Sequence, residues 1–141
     1  MKKMLIQAMV AVLLVSPISV FGMDKDLLII VTTGDRVTQL MSLVLGIETG
    51  KKGADVSILL CGQAGSLAIE GAEEIKLKPK GVSPQMLLQK LIAGGTTVEL
   101  CPPYLPNSSY SKADLRKGVA IAKPPEIATR LLDENTKILS Y

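Results

Sequence analysis

Short runs of mostly apolar or β-branched residues recur along this chain at 27–31, 56–60 and 96–100, each preceded by an aspartate or a glycine. Runs of this length are typical of strands that are covered on both faces, as in parallel sheets. The segments between them have the length and pattern of helices, and strands that alternate with helices predict a parallel sheet. We therefore expect a three-layer α/β fold, with a mostly parallel sheet flanked by helices, of the flavodoxin-like kind.

Apolar spacing and capping residues predict the helices. The first helix has apolar residues at the spacing of one buried face, namely Val37, Leu40, Met41, Val44 and Leu45. Asp35 is suited to cap its N-terminus, and Ser83 with Pro84 predicts the start of the second helix. Ser111 and Asp114 resemble a capping box for a short helix over 112–117.

The last part of the chain continues the same alternation. A short strand is predicted at 119–122, a final helix from Pro124 through Leu132, and a last strand at 137–141. Glycine-rich and small residues at 63–71 predict a short helix after the second strand. The alternation therefore extends to the end of the chain and forms one domain.

The N-terminal residues have the layout of a secretory signal peptide. A basic start at Lys2-Lys3 precedes an apolar stretch over 4–15, which is shorter than the ~20 residues that span a bilayer. We predict a signal peptide at 1–22 and a single domain at 23–141, in the periplasm or secreted. The mature protein is then not expected to associate with a membrane; an uncleaved N-terminal anchor is the alternative.

Composition excludes several classes of function. The chain has no histidine, which excludes Ser-His-Asp and Cys-His catalysis, and its two cysteines cannot complete most zinc sites. We expect neither a metal nor a cofactor. Once Lys2-Lys3 are removed, the net charge falls from +3 to +1, and aromatic residues make up only 3% of the chain. Nucleic acid is therefore not an expected partner.

Both cysteines follow a predicted strand. Cys61 ends the second strand and Cys101 the third, and the carboxyl ends of parallel strands share one edge of the sheet, where ligands bind in such folds. Cys101 precedes a loop and is the candidate reactive thiol. Cationic side chains that would favour its thiolate follow at Lys112, Arg116 and Lys117.

Two observations favour a purely structural role for Cys101. Pro102 and Pro103 lack the N–H groups that could stabilise a thiolate, and cysteine is a common small residue of protein cores. Cys61 continues a buried strand, so a core position is expected for it. The residues leave the reactive and the structural interpretation of Cys101 open.

A Cys61–Cys101 disulfide is a further possibility, because exported proteins meet an oxidising compartment. In a flavodoxin-like strand order, the first strand lies between the second and the third. The two cysteines would then be two strand spacings apart, ~9.5 Å. That separation exceeds the reach of a disulfide. This strand order therefore argues against the bond.

In the order and spacing of its segments, the chain resembles the DsrE, DsrF and TusD family of sulfur-relay proteins over residues 25–141. The segments that carry the resemblance are Gly34-Asp35-Arg36, Lys51 to Ile58, Gly94 to Cys101, and Ala113 to Val119. The resemblance implies a DsrE-like fold, a persulfide on Cys101, protein donors and acceptors of sulfur, and a trimer or hexamer.

Three functional hypotheses follow. The first is a sulfur (persulfide) carrier or sulfur-transfer protein that acts through Cys101. The second is a non-enzymatic oligomeric module that binds a partner or a small anion at the same edge of the sheet and uses its cysteines for packing. The third is a thiol redox sensor in which Cys61 and Cys101 respond to oxidation together.

Overall fold

A computed structural model describes residues 25–141, and the predicted signal peptide lies outside them. The regular elements are β1 (Asp26–Val31), α1 (Arg36–Gly50), β2 (Asp55–Leu60), α2 (Pro84–Ala93), β3 (Thr97–Leu100), β4 (Val119–Ile121), α3 (Pro124–Leu132) and β5 (Thr136–Ser140). Short 3-10 helices occupy Gly62–Ala68, Leu105–Asn107 and Lys112–Asp114. The alternation of strands and helices predicted from the sequence is confirmed.

The five strands form one sheet in the order β4-β3-β2-β1-β5, and every neighbouring pair is parallel. Alternate residues of β1, β2 and β3 pack against α1 and α2 on one face and form the larger core. The other face carries a smaller cluster, which consists of Leu28, Leu59, Ala122 and Ile127 of α3. Helices on both faces of a parallel sheet confirm the predicted three-layer α/β fold.

The strand order corrects one expectation. β2, and not β1, lies in the middle of the first three strands, with Leu60 opposite Val31 on one side and Leu100 on the other. Each right-handed crossover from β1 to β2 and from β2 to β3 moves in the same direction, so α1 and α2 lie on one face of the sheet. The runs at 27–31 and 56–60 are both mostly apolar, and such runs do not specify their neighbours.

The capping predictions are confirmed for the two long helices. Asp35 accepts a hydrogen bond from the Thr38 backbone N–H at 2.7 Å, and Ser83 accepts one from Met86 at 3.0 Å. Hydrogen bonds from Thr38 lower the pKa of Asp35. The Asp35 carboxylate therefore serves as the N-terminal cap of α1.

The helix predicted over 112–117 is shorter than expected. Ser111 and Asp114 do form a capping box, but the helix consists of Lys112–Asp114 alone. It ends there because the Arg116 backbone N–H donates to Ala68 O at 2.8 Å. The chain therefore turns toward the 3-10 helix at Gly62–Ala68. No helix within residues 25–141 has the length and hydropathy of a membrane span.

Candidate functional site

The two cysteines lie side by side where β2 and β3 end. The backbone N–H of Cys61 donates to Val31 O, and that of Cys101 donates to Leu60 O, each at 2.9 Å. Both residues are therefore held by the last hydrogen bonds of the sheet ladder. The shared edge predicted for them is present, and β2 and β3 are direct neighbours along it.

Cys61 and Cys101 are joined by a disulfide. Their Cα atoms are 5.1 Å apart, across 40 residues of sequence, which is within the range that such a bond tolerates. The expected separation of two strand spacings was wrong, because it rested on the wrong strand order. Adjacent parallel strands in register bring the residues that follow Leu60 and Leu100 within bonding reach.

The disulfide lies on the α3 face of the sheet and is half-buried. Both cysteines pack against the smaller apolar cluster, which includes Leu59 and Ile127. The sequence predicted a core position for Cys61, but this residue lies against the smaller cluster and outside the larger core. The disulfide is therefore only partly enclosed by the domain.

Charged residues on the α3 face include Glu99, two residues before Cys101, and two cations, Arg130 and Lys123. Glu99 lies on the same face of β3 as Cys101 and is only 6% exposed, and its carboxylate pairs with Arg130 of α3. Lys123 contributes a further cation at the start of α3; pairing with Glu126 raises its pKa, and the charge of Glu99 does so to a smaller extent. Arg130 thus offsets the one buried carboxylate beside the cysteine pair.

The cations predicted to activate Cys101 have other positions. Arg116 is buried, and its guanidinium donates to Leu67 O at 3.2 Å and to Ile69 O at 3.1 Å. Lys112 and Lys117 are exposed. Arg116 therefore holds the Gly62–Ala68 helix in place. The sequence analysis did not identify Arg130 as a cation on this face of the sheet. Its i+3 spacing from the apolar Ile127 places both residues on one face of the helix.

The segment after Cys101 is tied down by local contacts. The Tyr104 backbone N–H donates to Cys101 O at 3.1 Å, and the Asn107 side chain donates to Pro103 O at 2.8 Å. The Tyr104 ring packs on Gly65, and burial, with a smaller effect of Tyr110, raises the pKa of Tyr104. The hydroxyl is therefore neutral near pH 7, and the ring serves to position the segment.

This contact yields a test of how the segment is held. A Cβ atom at Gly65 would overlap the Tyr104 ring, so we expect Gly65→Ala to lower the free energy of unfolding by about 2 kcal/mol, as overpacking does. The measurement is urea unfolding. The control is Gly50→Ala, where a Cβ would meet Val56 at an ordinary 3.7 Å. Equal midpoints for the two variants would contradict the packing role of Gly65.

Two cavities lie near residues that adjoin Cys101 in sequence or share its face of the sheet, and neither is lined by a cysteine. One of about 330 Å³ is lined by apolar residues of the segment after Cys101, including Pro102, Leu105 and Pro106. The other, of about 270 Å³, lies on the α3 face beside Glu99 and Arg130.

Among residues 25–141, no three His, Cys, Asp or Glu side chains are grouped so as to hold a metal ion. The sulfur atoms of Cys61 and Cys101 are the candidate reactive groups at this edge.

Comparison with known proteins relates the chain to solved structures through its fold. No protein-family model matches the sequence, and no curated protein matches it. The ychN protein from E. coli superimposes with a TM-score of 0.68 at 21% identity, over 84% of this chain and 99% of that one. The protein of unknown function MTH1491 from Methanobacterium thermoautotrophicum gives 0.64 at 16% identity, over 84% of this chain and 100% of that one. The chain therefore has the same α/β fold as these two proteins.

Proposed function

We propose that this chain is a DsrE-like sulfur carrier in which Cys101 holds a persulfide and passes it on by thiol exchange. The observation that carries the proposal is the direct adjacency of Cys61 and Cys101 at the carboxyl edge of the sheet. A second cysteine within bonding distance provides a thiol that can attack the inner sulfur of a persulfide on Cys101. The resemblance in sequence order and the fold shared with ychN and MTH1491 support it.

The proposed chemistry starts from the reduced pair. The Cys101 thiolate attacks the outer sulfur of a donor persulfide, the donor leaves as a thiolate, and Cys101 becomes a persulfide. An acceptor thiolate then attacks the outer sulfur of Cys101, which returns to a thiolate. Alternatively, Cys61 attacks the inner sulfur, releases hydrosulfide and forms the disulfide. Each step exchanges one S–S bond for another, so no further oxidant is required.

Location and assembly belong to the same proposal. Export by the segment at 1–22 would place the carrier in the periplasm or outside the cell, where its donor and acceptor proteins would also have to be. We propose a trimer or hexamer, as the resemblance implies. Exposed apolar side chains, among them Val37 at 64% and Leu132 at 85%, support self-association, because they would be covered in an assembly.

The disulfide also favours a second candidate, a thiol redox sensor. In that case, oxidation and reduction of the Cys61–Cys101 pair would change the assembly state, and no sulfur would be carried. The remaining hypothesis, a binding module with structural cysteines, differs from both because the pair would take no part in exchange.

Two matched variants test the carrier function. Cys61→Ser and Cys101→Ser both lose the disulfide and therefore share its effect on stability, but only the first retains Cys101. After reduction and treatment with a small-molecule persulfide donor, we expect Cys61→Ser to gain one sulfur atom at Cys101 and Cys101→Ser to gain none. Intact mass and peptide mapping after alkylation measure this.

Circular dichroism before loading checks that both variants are folded. Equal loading of the two variants would show that Cys101 has no special role. An absence of loading in Cys61→Ser and in the reduced wild type would exclude the carrier, and a change in assembly state with the redox state would then favour the sensor.

A further inference from the structure

We propose that the oxidised form of this protein takes hydrosulfide as its substrate, with the Cys61–Cys101 disulfide as the acceptor. The inference rests on the proposed function and specifies the chemical class of the sulfur source. It starts from the bond between the two cysteines and from their half-buried position at the edge of the sheet. A thiol alone cannot form a persulfide from hydrosulfide, because two electrons would have to be removed. The disulfide accepts those electrons.

The reaction balances without another reagent. Hydrosulfide attacks the Sγ atom of Cys101, the S–S bond to Cys61 breaks, and its electron pair leaves on the Cys61 thiolate. The new S–S bond joins the incoming sulfur to Cys101, which becomes a persulfide. The sulfide sulfur is oxidised to the sulfane state, the disulfide is reduced, and the proton of hydrosulfide passes to solvent or to Cys61. With both new sulfur groups protonated, the protein gains the mass of one hydrogen sulfide molecule.

The residues that follow each cysteine decide which sulfur is attacked. In thiol exchange, the sulfur with the lower thiol pKa leaves faster, and N–H groups near a thiolate lower that pKa. Gly62 and Gln63 each retain a backbone N–H after Cys61, whereas Pro102 and Pro103 provide none after Cys101. We therefore assign the leaving thiolate to Cys61 and the persulfide to Cys101.

The charges near the disulfide are paired. Glu99 would repel hydrosulfide, but its carboxylate is paired with Arg130, and Lys123 is paired with Glu126. The Tyr104 contact with Gly65 holds the segment that follows Cys101, so the attacked sulfur keeps its position. Because the disulfide is half-buried, the site favours a nucleophile as small as hydrosulfide over a bulkier thiol.

The test uses the full chain, oxidised and purified without reductant, treated with sodium sulfide under anaerobic conditions and then alkylated. We expect one sulfane sulfur per chain, located by peptide mapping at Cys101, with Cys61 alkylated as a thiol. Reduced Cys61→Ser, which has no disulfide, should gain no sulfur from the same sulfide solution. The unreacted disulfide, a sulfane sulfur at Cys61, or loading of reduced Cys61→Ser by sulfide would each overturn the inference.

Failure of this inference is distinguishable from failure of the carrier function. If reduced protein loads at Cys101 from a persulfide donor while the oxidised protein ignores sulfide, only the source of the sulfur is wrong. If neither form acquires sulfur at Cys101, the carrier function fails together with the inference.

Discussion

Reduction of the Cys61–Cys101 disulfide is expected to lower the free energy of unfolding by about 4 kcal/mol. The bond closes a loop across 40 residues, and closing a loop of that length removes chain entropy from the unfolded state, which destabilises that state by ~4 kcal/mol. The ladder between β2 and β3 stays in place without the bond, because Cys101 N–H and Leu60 O belong to the backbone. Natural domains have a total stability of about 5–15 kcal/mol, so we expect the reduced protein to remain folded.

Urea unfolding with and without a phosphine reductant measures this effect. The control is the double variant Cys61→Ser/Cys101→Ser, whose unfolding should not respond to the reductant and should match the reduced wild type. An unchanged unfolding midpoint in the wild type, after mass measurement has shown two free thiols, would contradict the expected contribution of the bond.

Replacement of Arg116 by methionine is expected to cost about 3 kcal/mol. The guanidinium is buried and donates to the backbone carbonyl groups of Leu67 and Ile69. Methionine preserves much of the apolar stem but leaves both carbonyl groups without their donor, and hydrogen bonds from a charged group contribute ~1.5–3 kcal/mol each. The 3.5 Å ion pair with Glu70 adds little, since the Glu70 side chain is 64% exposed.

Lys117→Met is the matched control for Arg116→Met, because Lys117 is the next residue and is exposed. We expect its unfolding midpoint in urea to stay within the error of the wild type. A loss of stability in Arg116→Met no larger than in this control would show that Arg116 does not anchor the Gly62–Ala68 helix.

Most of the fold was predictable from local patterns. Asp35 and Ser83 start helices because their side chains accept hydrogen bonds from backbone N–H groups of the first turn, which have no partner within the helix. The strands were recognisable from their apolar runs, and the alternation with helices implied parallel pairing. The end of the short helix at Lys112–Asp114 was not predictable, because the backbone of Arg116 bonds to a residue 48 positions earlier, Ala68.

The order of the strands, and with it the chemistry of the site, required tertiary information. β1 and β2 both consist mostly of apolar residues, so their pattern alone does not determine which strands lie beside them. The sequence located both cysteines at one edge of the sheet but could not decide whether one strand lay between them. The pairing of Glu99 with Arg130 likewise depends on the position of α3 against the sheet.

The central claim is that Cys101 carries sulfane sulfur, and the state of the two cysteines in the isolated protein tests it most directly. The full chain would be recovered without reductant, alkylated at once, and mapped by mass spectrometry before and after exposure of its reduced form to a persulfide donor. We predict a Cys61–Cys101 cross-linked peptide in the isolated protein and one sulfane sulfur at Cys101 after exposure. Two unmodified thiols after exposure, or sulfane sulfur confined to Cys61, would contradict the account.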